Sequence, residues 1–60
     1  MTIMITVKTE NAAFEEDKQG EVARILAAMI EDWPTIAIAN RGELYDINGN
    51  NVGFVTVTGT

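Results

Sequence analysis

Two pairs of adjacent carboxylates are the residues of this chain best suited to acid–base chemistry. Glu15 stands next to Glu16, and Glu31 stands next to Asp32. A working acid–base pair needs two environments that push its pKa values apart, usually inside a cleft. A chain of 60 residues leaves hardly any interior for such a cleft, so we expect no enzymatic activity. The chain also lacks Cys, His and Ser, the usual nucleophiles, proton shuttles and soft-metal ligands.

The segment Asp46-Ile47-Asn48-Gly49-Asn50 resembles the start of an EF-hand calcium loop. Such a loop needs glycine at its sixth position and a bidentate glutamate at its twelfth, whereas here Gly49 is fourth and Val57 is twelfth. Asp and Asn side chains bond neighbouring backbone N–H groups, so these residues indicate a turn. None of Gly49, Gly53 and Gly59 stands between a strand and a helix N-terminus, as a phosphate loop requires. We therefore expect neither a metal nor a cofactor.

The charge balance disfavours direct nucleic-acid binding. Nine acidic residues against four basic ones give a net charge of −5, and nucleic-acid binding normally requires a basic face. The candidate acidic patch consists of Glu10, Glu15, Glu16 and Asp17. The simplest interpretation of this patch is a solvated surface.

Strict alternation predicts a half-buried strand over Thr2–Thr9. Its core-facing side chains are Ile3, Ile5 and Val7. The polar connection Glu10–Asp17 carries one large apolar residue, Phe14, which we expect to plug the core. Asn11 is a candidate cap for a single helical turn in this connection.

Apolar spacings of three and four predict a helix that begins after Asp17, its expected N-cap. Pro34 disfavours helical geometry at Trp33, so the helix should end near Asp32 or Trp33. The predicted apolar face contains Val22, Ile25, Leu26, Met29 and Trp33. The predicted outer side contains Glu21, Arg24, Ala28, Glu31 and Asp32.

The last third of the chain predicts a hairpin. The segment 35–39 (TIAIA) is short and alternating, which fits either an edge strand or an extended connection, and residues 40–42 indicate a turn. Asn48-Gly49 lies between runs at 43–46 and 52–58, which favours a type I′ hairpin turn. Gly53 is expected at a bulge or at a close backbone approach.

Together these elements predict one α+β domain over residues 1–60. The order βαββ predicts a three-stranded antiparallel sheet with one helix on one face, and with a short extra strand at 35–39 as an option. We favour pairing of the first strand with the last, which makes the last strand central, over a right-handed parallel crossover.

Size and composition also bear on assembly and location. A chain this short, without disulfides, often gains stability by oligomerising, so we expect a homodimer or a protein partner. No run approaches the ~20 apolar residues of a membrane span, and the opening MTIMITVKT does not resemble a signal peptide. We expect a cytoplasmic protein that does not associate with membranes.

The second face of the sheet supplies the candidate interface. If one set of alternating side chains lies under the helix, the other set is left on the open face. We expect Met4, Tyr45 and Phe54, or a similar combination, to be partly exposed there. A contiguous Met/Tyr/Phe patch on so small a domain suggests an interaction surface.

Three stretches, MITVKTENAAFEED, GEVARIL and LYDINGNNVG, resemble small proteins of about this length encoded by tailed bacteriophages and prophages. They cover roughly half of the chain, from Met4 to Gly53. The matching residues specify the fold and include no catalytic motif. The resemblance implies a phage origin and a location in the host cell cytoplasm, and small phage accessory proteins often bind and block a host protein.

Three functional hypotheses follow. The first is a non-enzymatic phage accessory protein that acts through protein–protein interaction. The second is an acidic nucleic-acid mimic of the anti-restriction or anti-CRISPR type, which needs a continuous track of carboxylates. That track would contain Glu10, Glu15, Glu16, Asp17, Glu21, Glu31 and Asp32. The third is a minor structural component of the virion.

Overall fold

The chain forms a three-stranded antiparallel sheet with two α-helices on one side. The computed structural model describes residues 1–59. Its elements are β1 (Thr2–Val7), α1 (Lys18–Glu31), α2 (Trp33–Ala39), β2 (Arg41–Tyr45) and β3 (Asn51–Thr58), with a short 3-10 helix at Ala12–Phe14 between β1 and α1. The strand order β1-β3-β2 confirms that the last strand is central. The α+β class is confirmed, whereas the expectation of one helix was wrong.

The register of the sheet defines its two faces. On β1, Ile3 pairs with Val57, and Ile5 pairs with Val55. Gly42 of β2 also pairs with Val55, so these residues share the face that carries the helices. The opposite face, called here the open face, carries Met4, Thr6, Arg41, Glu43, Tyr45, Phe54 and Thr56.

Gly53 lies at both a bulge and a close backbone approach, which confirms the prediction for this position. The β2–β3 register shifts between Leu44 and Tyr45, so that Val52 is an extra residue on β3. Because of this shift, Val52 turns into the core and is buried. A Cβ on Gly53 would collide with the carbonyl oxygen of Thr6, so no larger residue fits without moving β1.

Helix α1 begins and ends where the sequence predicts. Asp17 is its N-cap and accepts a hydrogen bond from the N–H of Gly20 at 3.0 Å, and the helix ends at Glu31. Pro34 then occupies the first turn of α2. Backbone N–H groups there have no acceptor within the helix, so the absence of an N–H in proline costs no hydrogen bond. The proline therefore separates two helices rather than a helix from a strand.

The segment 35–39 is helical, so both expectations for it were wrong. A short apolar run cannot be assigned by periodicity alone, and here tertiary packing decides. Ile36 is buried against Gly42, where a Cβ would lie 2.7 Å from the Ile36 Cγ1 atom. Asn40 ends α2 in the left-handed conformation (φ 61°), and β2 begins directly at Arg41. Residues 40–42 are thus a helix end and a strand start rather than a separate turn.

The hairpin between β2 and β3 is confirmed, but its turn is not type I′. The N–H of Gly49 donates to the carbonyl of Asp46 at 3.0 Å, and the N–H of Asp46 donates to the carbonyl of Asn50 at 2.9 Å. In this turn Gly49 has a positive φ of 83°, whereas the φ of Asn48 is not positive. This is a three-residue loop in which a type I turn is followed by a left-handed glycine.

The core lies between the helices and the β2 half of the sheet. Phe14 is buried in it, as predicted, together with Ile25, Leu44 and Val52. Both helices make their main sheet contacts with β2 rather than β1. As a result, Ile3 and Ile5 remain 42% and 44% exposed although they share the helix-bearing face. None of the helices described is long and apolar enough to cross a membrane.

Candidate interaction surface

The open face leaves all three candidate interface residues exposed. Met4, Tyr45 and Phe54 expose 60%, 52% and 37% of their surfaces. They reach this face because side chains alternate along a strand while the helices cover only the other side. Exposed apolar side chains of this size are common singly, so their arrangement decides whether they form one surface.

Met4 and Phe54 lie together, and Tyr45 lies apart. Met4 pairs with Thr56, and Phe54 is two residues before Thr56 on the same strand, which makes Met4 and Phe54 diagonal neighbours. Tyr45 pairs with Asn51, beyond the bulge. The structure therefore brings together two of the three residues and places the third at the far corner of the face.

A polar row separates Tyr45 from that pair. Arg41 donates to the Glu43 Oε1 atom at 2.8 Å, and the Asn51 Nδ2 group donates to the Glu43 Oε2 atom at 3.0 Å. These hydrogen bonds lower the pKa of Glu43, with Arg41 contributing most. The Arg41 guanidinium also lies 5.6 Å from the centre of the Phe54 ring, a cation–π distance. Phe54 is thus fixed at the border between an apolar and a charged part of the face.

The acidic patch lies in the connection before α1. Glu10, Glu15, Glu16 and Asp17 are all exposed. Asp17 is engaged as the cap of α1. Negative charge is favourable at the N-terminus of a helix, so the stability of α1 accounts for an acidic residue at position 17.

Asp46 is a buried hub that the sequence did not single out as such. Its Oδ1 atom accepts from the N–H groups of Asn48 and Asn50, each at 2.9 Å. Its Oδ2 atom accepts from Asn11 Nδ2 at 2.7 Å, which ties the β1–α1 connection to the hairpin. Burial raises the pKa of Asp46, but the hydrogen bonds from Asn50, Asn11 and Asn48 outweigh it, so the pKa lies below its ordinary 3.8.

Glu21 is buried, so its expected place on the outer side of α1 was wrong. Its carboxylate accepts from the Arg24 guanidinium at 2.7 and 3.0 Å and from the N–H of Ile47 at 2.9 Å. The hydrogen bond from Arg24 lowers the pKa of Glu21 most, against the opposing effect of burial. Arg24 also donates to the carbonyl of Tyr45 at 3.3 Å. Helix α1 therefore holds the hairpin turn through polar contacts, in addition to the apolar packing of Ile25 on Leu44 and Val52 in the core.

A shallow groove lies between α1 and β2, next to these groups. Its walls include Arg24, Met29, Ile36 and Tyr45. Three of the charged residues in its walls, Arg24, Glu43 and Asp46, already have hydrogen-bond partners within the chain. The groove thus presents mostly engaged polar groups.

Sequence reasoning missed the burial of the Glu21 and Asp46 carboxylates because contacts that hold them, from Ile47 and Asn11 respectively, join residues far apart in the chain. Glu21 and Arg24 are spaced as an i, i+3 pair, which the sequence does show. The burial of Glu21 depends on the position of the hairpin turn, whose Ile47 N–H donates to its carboxylate, and that position follows only from the fold. No protein-family model, curated protein or solved structure matches this chain.

Proposed function

We propose that this chain is a non-enzymatic phage accessory protein that binds another protein, of the host or of the phage, through the Met4–Phe54 part of its open face. The observation that carries the proposal is the uncovered second face of the sheet, with Met4 and Phe54 as exposed neighbours. Large apolar side chains next to a fixed arginine are typical of the residues that dominate protein interfaces. The phage origin rests on the resemblance described above.

The carboxylates also support a binding role over an acid–base role. A general acid needs a raised pKa, whereas Glu21, Glu43 and Asp46 all have lowered values. Each of the three is engaged in hydrogen bonds within the fold. These groups are therefore used to hold the structure together.

The nucleic-acid mimic receives less support. Glu21, one of the seven carboxylates that it requires, is buried and paired with Arg24. The exposed cation of Arg24 lies on α1 between the carboxylates at its two ends. A phosphate-like track needs dense, uninterrupted negative charge, and this arrangement interrupts it.

Affinity capture with matched variants tests the proposal. We expect Phe54→Ala to abolish capture of a defined partner from host or phage-infected lysate. The variant Glu15→Gln/Glu16→Gln should keep it, and Ile38→Ala, which removes exposed apolar surface from α2 instead, should keep it as well. Loss of capture in the double Gln variant with retention in Phe54→Ala would contradict the proposal and favour the acidic mimic. Exclusive recovery of the chain in purified particles would favour the virion component.

A further inference from the structure

The free edge of β1 is the second unpartnered feature of the sheet. Within residues 1–59, β1 pairs only with β3. The N–H of Lys8 donates to the carbonyl of Val52, so the even-numbered residues of this strand direct their backbone groups towards β3. The N–H and C=O groups of Ile3, Ile5 and Val7 therefore point away from the sheet. An unpaired row of this kind is a template for another β-strand.

Among the residues that the structure describes, none of the devices that protect exposed strands is present at this edge. Natural edges are blunted by charges, prolines, bulges or a covering element. The strand Thr2–Val7 contains no charged residue and no proline, and its pairing with β3 is regular throughout. Its side chains at Ile3 and Ile5 are only partly covered. An occupant of this edge would thus gain both backbone hydrogen bonds and apolar contacts.

The sequence of the strand points to its own copy as the occupant. Residues 2–6 read Thr-Ile-Met-Ile-Thr, which is the same in both directions. Antiparallel pairing about Met4 puts Thr2 opposite Thr6 and Ile3 opposite Ile5. Thr–Thr and β-branched pairs are stabilising across antiparallel strands. We propose that two copies of the chain pair antiparallel along β1, about a twofold axis at Met4, and join their sheets into one of six strands.

The backbone geometry agrees with this register. Pairing about Met4 makes Ile3 and Ile5 a hydrogen-bonded pair, and both direct their backbone groups outwards. Met4 then faces its own copy in a non-hydrogen-bonded pair, whose Cα atoms lie about 4.5 Å apart. On the helix-bearing face the two copies bring four isoleucines together, and these are the side chains that the helices leave uncovered.

Charge and area set the location and the strength of the pairing. Each chain carries a net charge of −5, so two copies meet most readily on an uncharged surface, which Thr2–Val7 provides. A six-residue strand is about 20 Å long and buries on the order of 400 Å² per partner. This is below the ~800 Å² per partner of a standard interface, so we expect a reversible dimer with a Kd of about 1–100 μM. The inference goes beyond the proposed function because it concerns the backbone edge of β1, and the two proposals share only the residue Met4.

Single cysteines test both the pairing and its register, since the chain has no native Cys. In the Met4-centred dimer the two copies of Met4→Cys lie within disulfide reach, whereas those of Ile5→Cys are offset by about two residues and lie beyond it. At about 100 μM protein under mild oxidation, we expect Met4→Cys to form a disulfide dimer at least tenfold faster than Ile5→Cys. Tyr45→Cys, on the other edge strand, controls for random collision. Met4 is exposed, so this substitution leaves the core intact.

Faster cross-linking of Ile5→Cys would overturn the register, and equal slow rates for all three variants would overturn the pairing. Sedimentation of the unmodified chain gives a second readout. We expect the dimer fraction to rise between about 5 and 500 μM, and Met4→Lys, which sets two ammonium groups opposite each other, to remain monomeric with an unchanged circular dichroism spectrum. Phe54→Ala should keep the dimer while it loses partner capture, so the two proposals fail independently.

Discussion

The two edges of the sheet are built in opposite ways. The β2 edge carries Arg41 and Glu43 as an ion pair, and the carbonyl of Tyr45 at its end is hydrogen-bonded by Arg24 from α1. The β1 edge is uncharged and regular, and it is contacted less by the helices. Charged residues and contacts with a neighbouring element are among the means by which proteins prevent unwanted strand pairing. Their presence on one edge only indicates that the β1 edge is the one available for pairing.

The β1 and β2 sides of the sheet also differ in how much they contribute to the stability of the fold. The main apolar cluster, Phe14, Ile25, Leu44 and Val52, lies on the β2 side, together with the polar contacts that hold the hairpin. On the β1 side, Ile3 and Ile5 keep more than two fifths of their surface in solvent. The β2 side therefore contributes most of the stability of the fold, and the β1 side is less constrained.

The largest expected effect comes from truncating the core on the β2 side. Phe14→Ala should lower the free energy of unfolding by about 3–5 kcal/mol, enough to unfold much of the population of so small a domain. Ile3→Ala, the matched change on the β1 side, should lower it by only about 1 kcal/mol because Ile3 is already 42% exposed. Urea denaturation followed by circular dichroism measures both. Equal losses would show that the two halves are not energetically distinct.

The glycines of the hairpin give the next largest difference. Gly53→Ala should lower the free energy of unfolding by about 3 kcal/mol, since its Cβ meets the Thr6 carbonyl and forces β1 away from β3. Gly49→Ala should lower it by about 1 kcal/mol, because its Cβ meets nothing within 4 Å and the loss comes from the positive φ of 83° alone. Thermal denaturation orders the two variants, and a reversed order would contradict the close approach at Gly53.

The buried carboxylates predict how stability depends on pH. Glu21 and Asp46 have folded pKa values below 4.5 and 3.8, so the stability that they contribute is complete above those values and is lost as the pH falls through the lower folded ones. The Tm should be nearly constant from pH 7 to 5 and should fall below about pH 4. Asp46→Asn should lower the Tm at pH 7 by about 5–10 °C and flatten the acid slope.

A control variant separates the effect of the Asp46 hydrogen bonds on the Tm from the effect of a change in net charge. Glu16→Gln removes one exposed carboxylate from the acidic patch. It should leave both the Tm at pH 7 and the acid slope close to those of the unmodified chain. If Glu16→Gln and Asp46→Asn flatten the slope equally, the Asp46 hydrogen bonds are not its cause.

The smallest effect is expected at the ion pair on the exposed part of β2. Arg41→Gln should shift the Tm by less than about 2 °C, since the Arg41–Glu43 pair is largely in solvent. Arg24→Gln should shift it further, by about 5 °C, because it leaves the buried Glu21 carboxylate without its main partner. Differential scanning calorimetry compares the two. A larger Tm shift for Arg41→Gln would show that the Arg41–Glu43 ion pair, rather than the contact with α1, stabilises the β2 edge.

The parts of the fold that the sequence predicts correctly depend on local chemistry. The alternation of β1, the cap at Asp17, the plug at Phe14 and the bulge at Gly53 each follow from residue type and immediate neighbours. The failures occur where distant contacts decide. The segment 35–39 is helical because Ile36 packs on Gly42, and Glu21 is buried because the hairpin turn returns to α1.

The candidate surface was likewise predictable only where the local alternation of side chains determines it. Alternation alone places Met4 and Phe54 on the open face. The separation of Tyr45 from them depends on the register shift after Leu44 and on the polar row formed by Glu43 and Asn51. The bare edge of β1 becomes visible only when the strand order is known, because the same residues in a central strand would be fully paired.

Amide hydrogen exchange at the two edges, measured by NMR at about 10 μM and about 500 μM protein, tests the central contrast most directly. The outward N–H groups of Ile3 and Ile5 should exchange quickly at the low concentration and become protected at least fivefold at the high one. The outward N–H groups of Arg41 and Glu43 on β2 should exchange at the same rate at both concentrations. Concentration-independent exchange at Ile3 and Ile5, or protection that appears at β2 instead, would contradict the account.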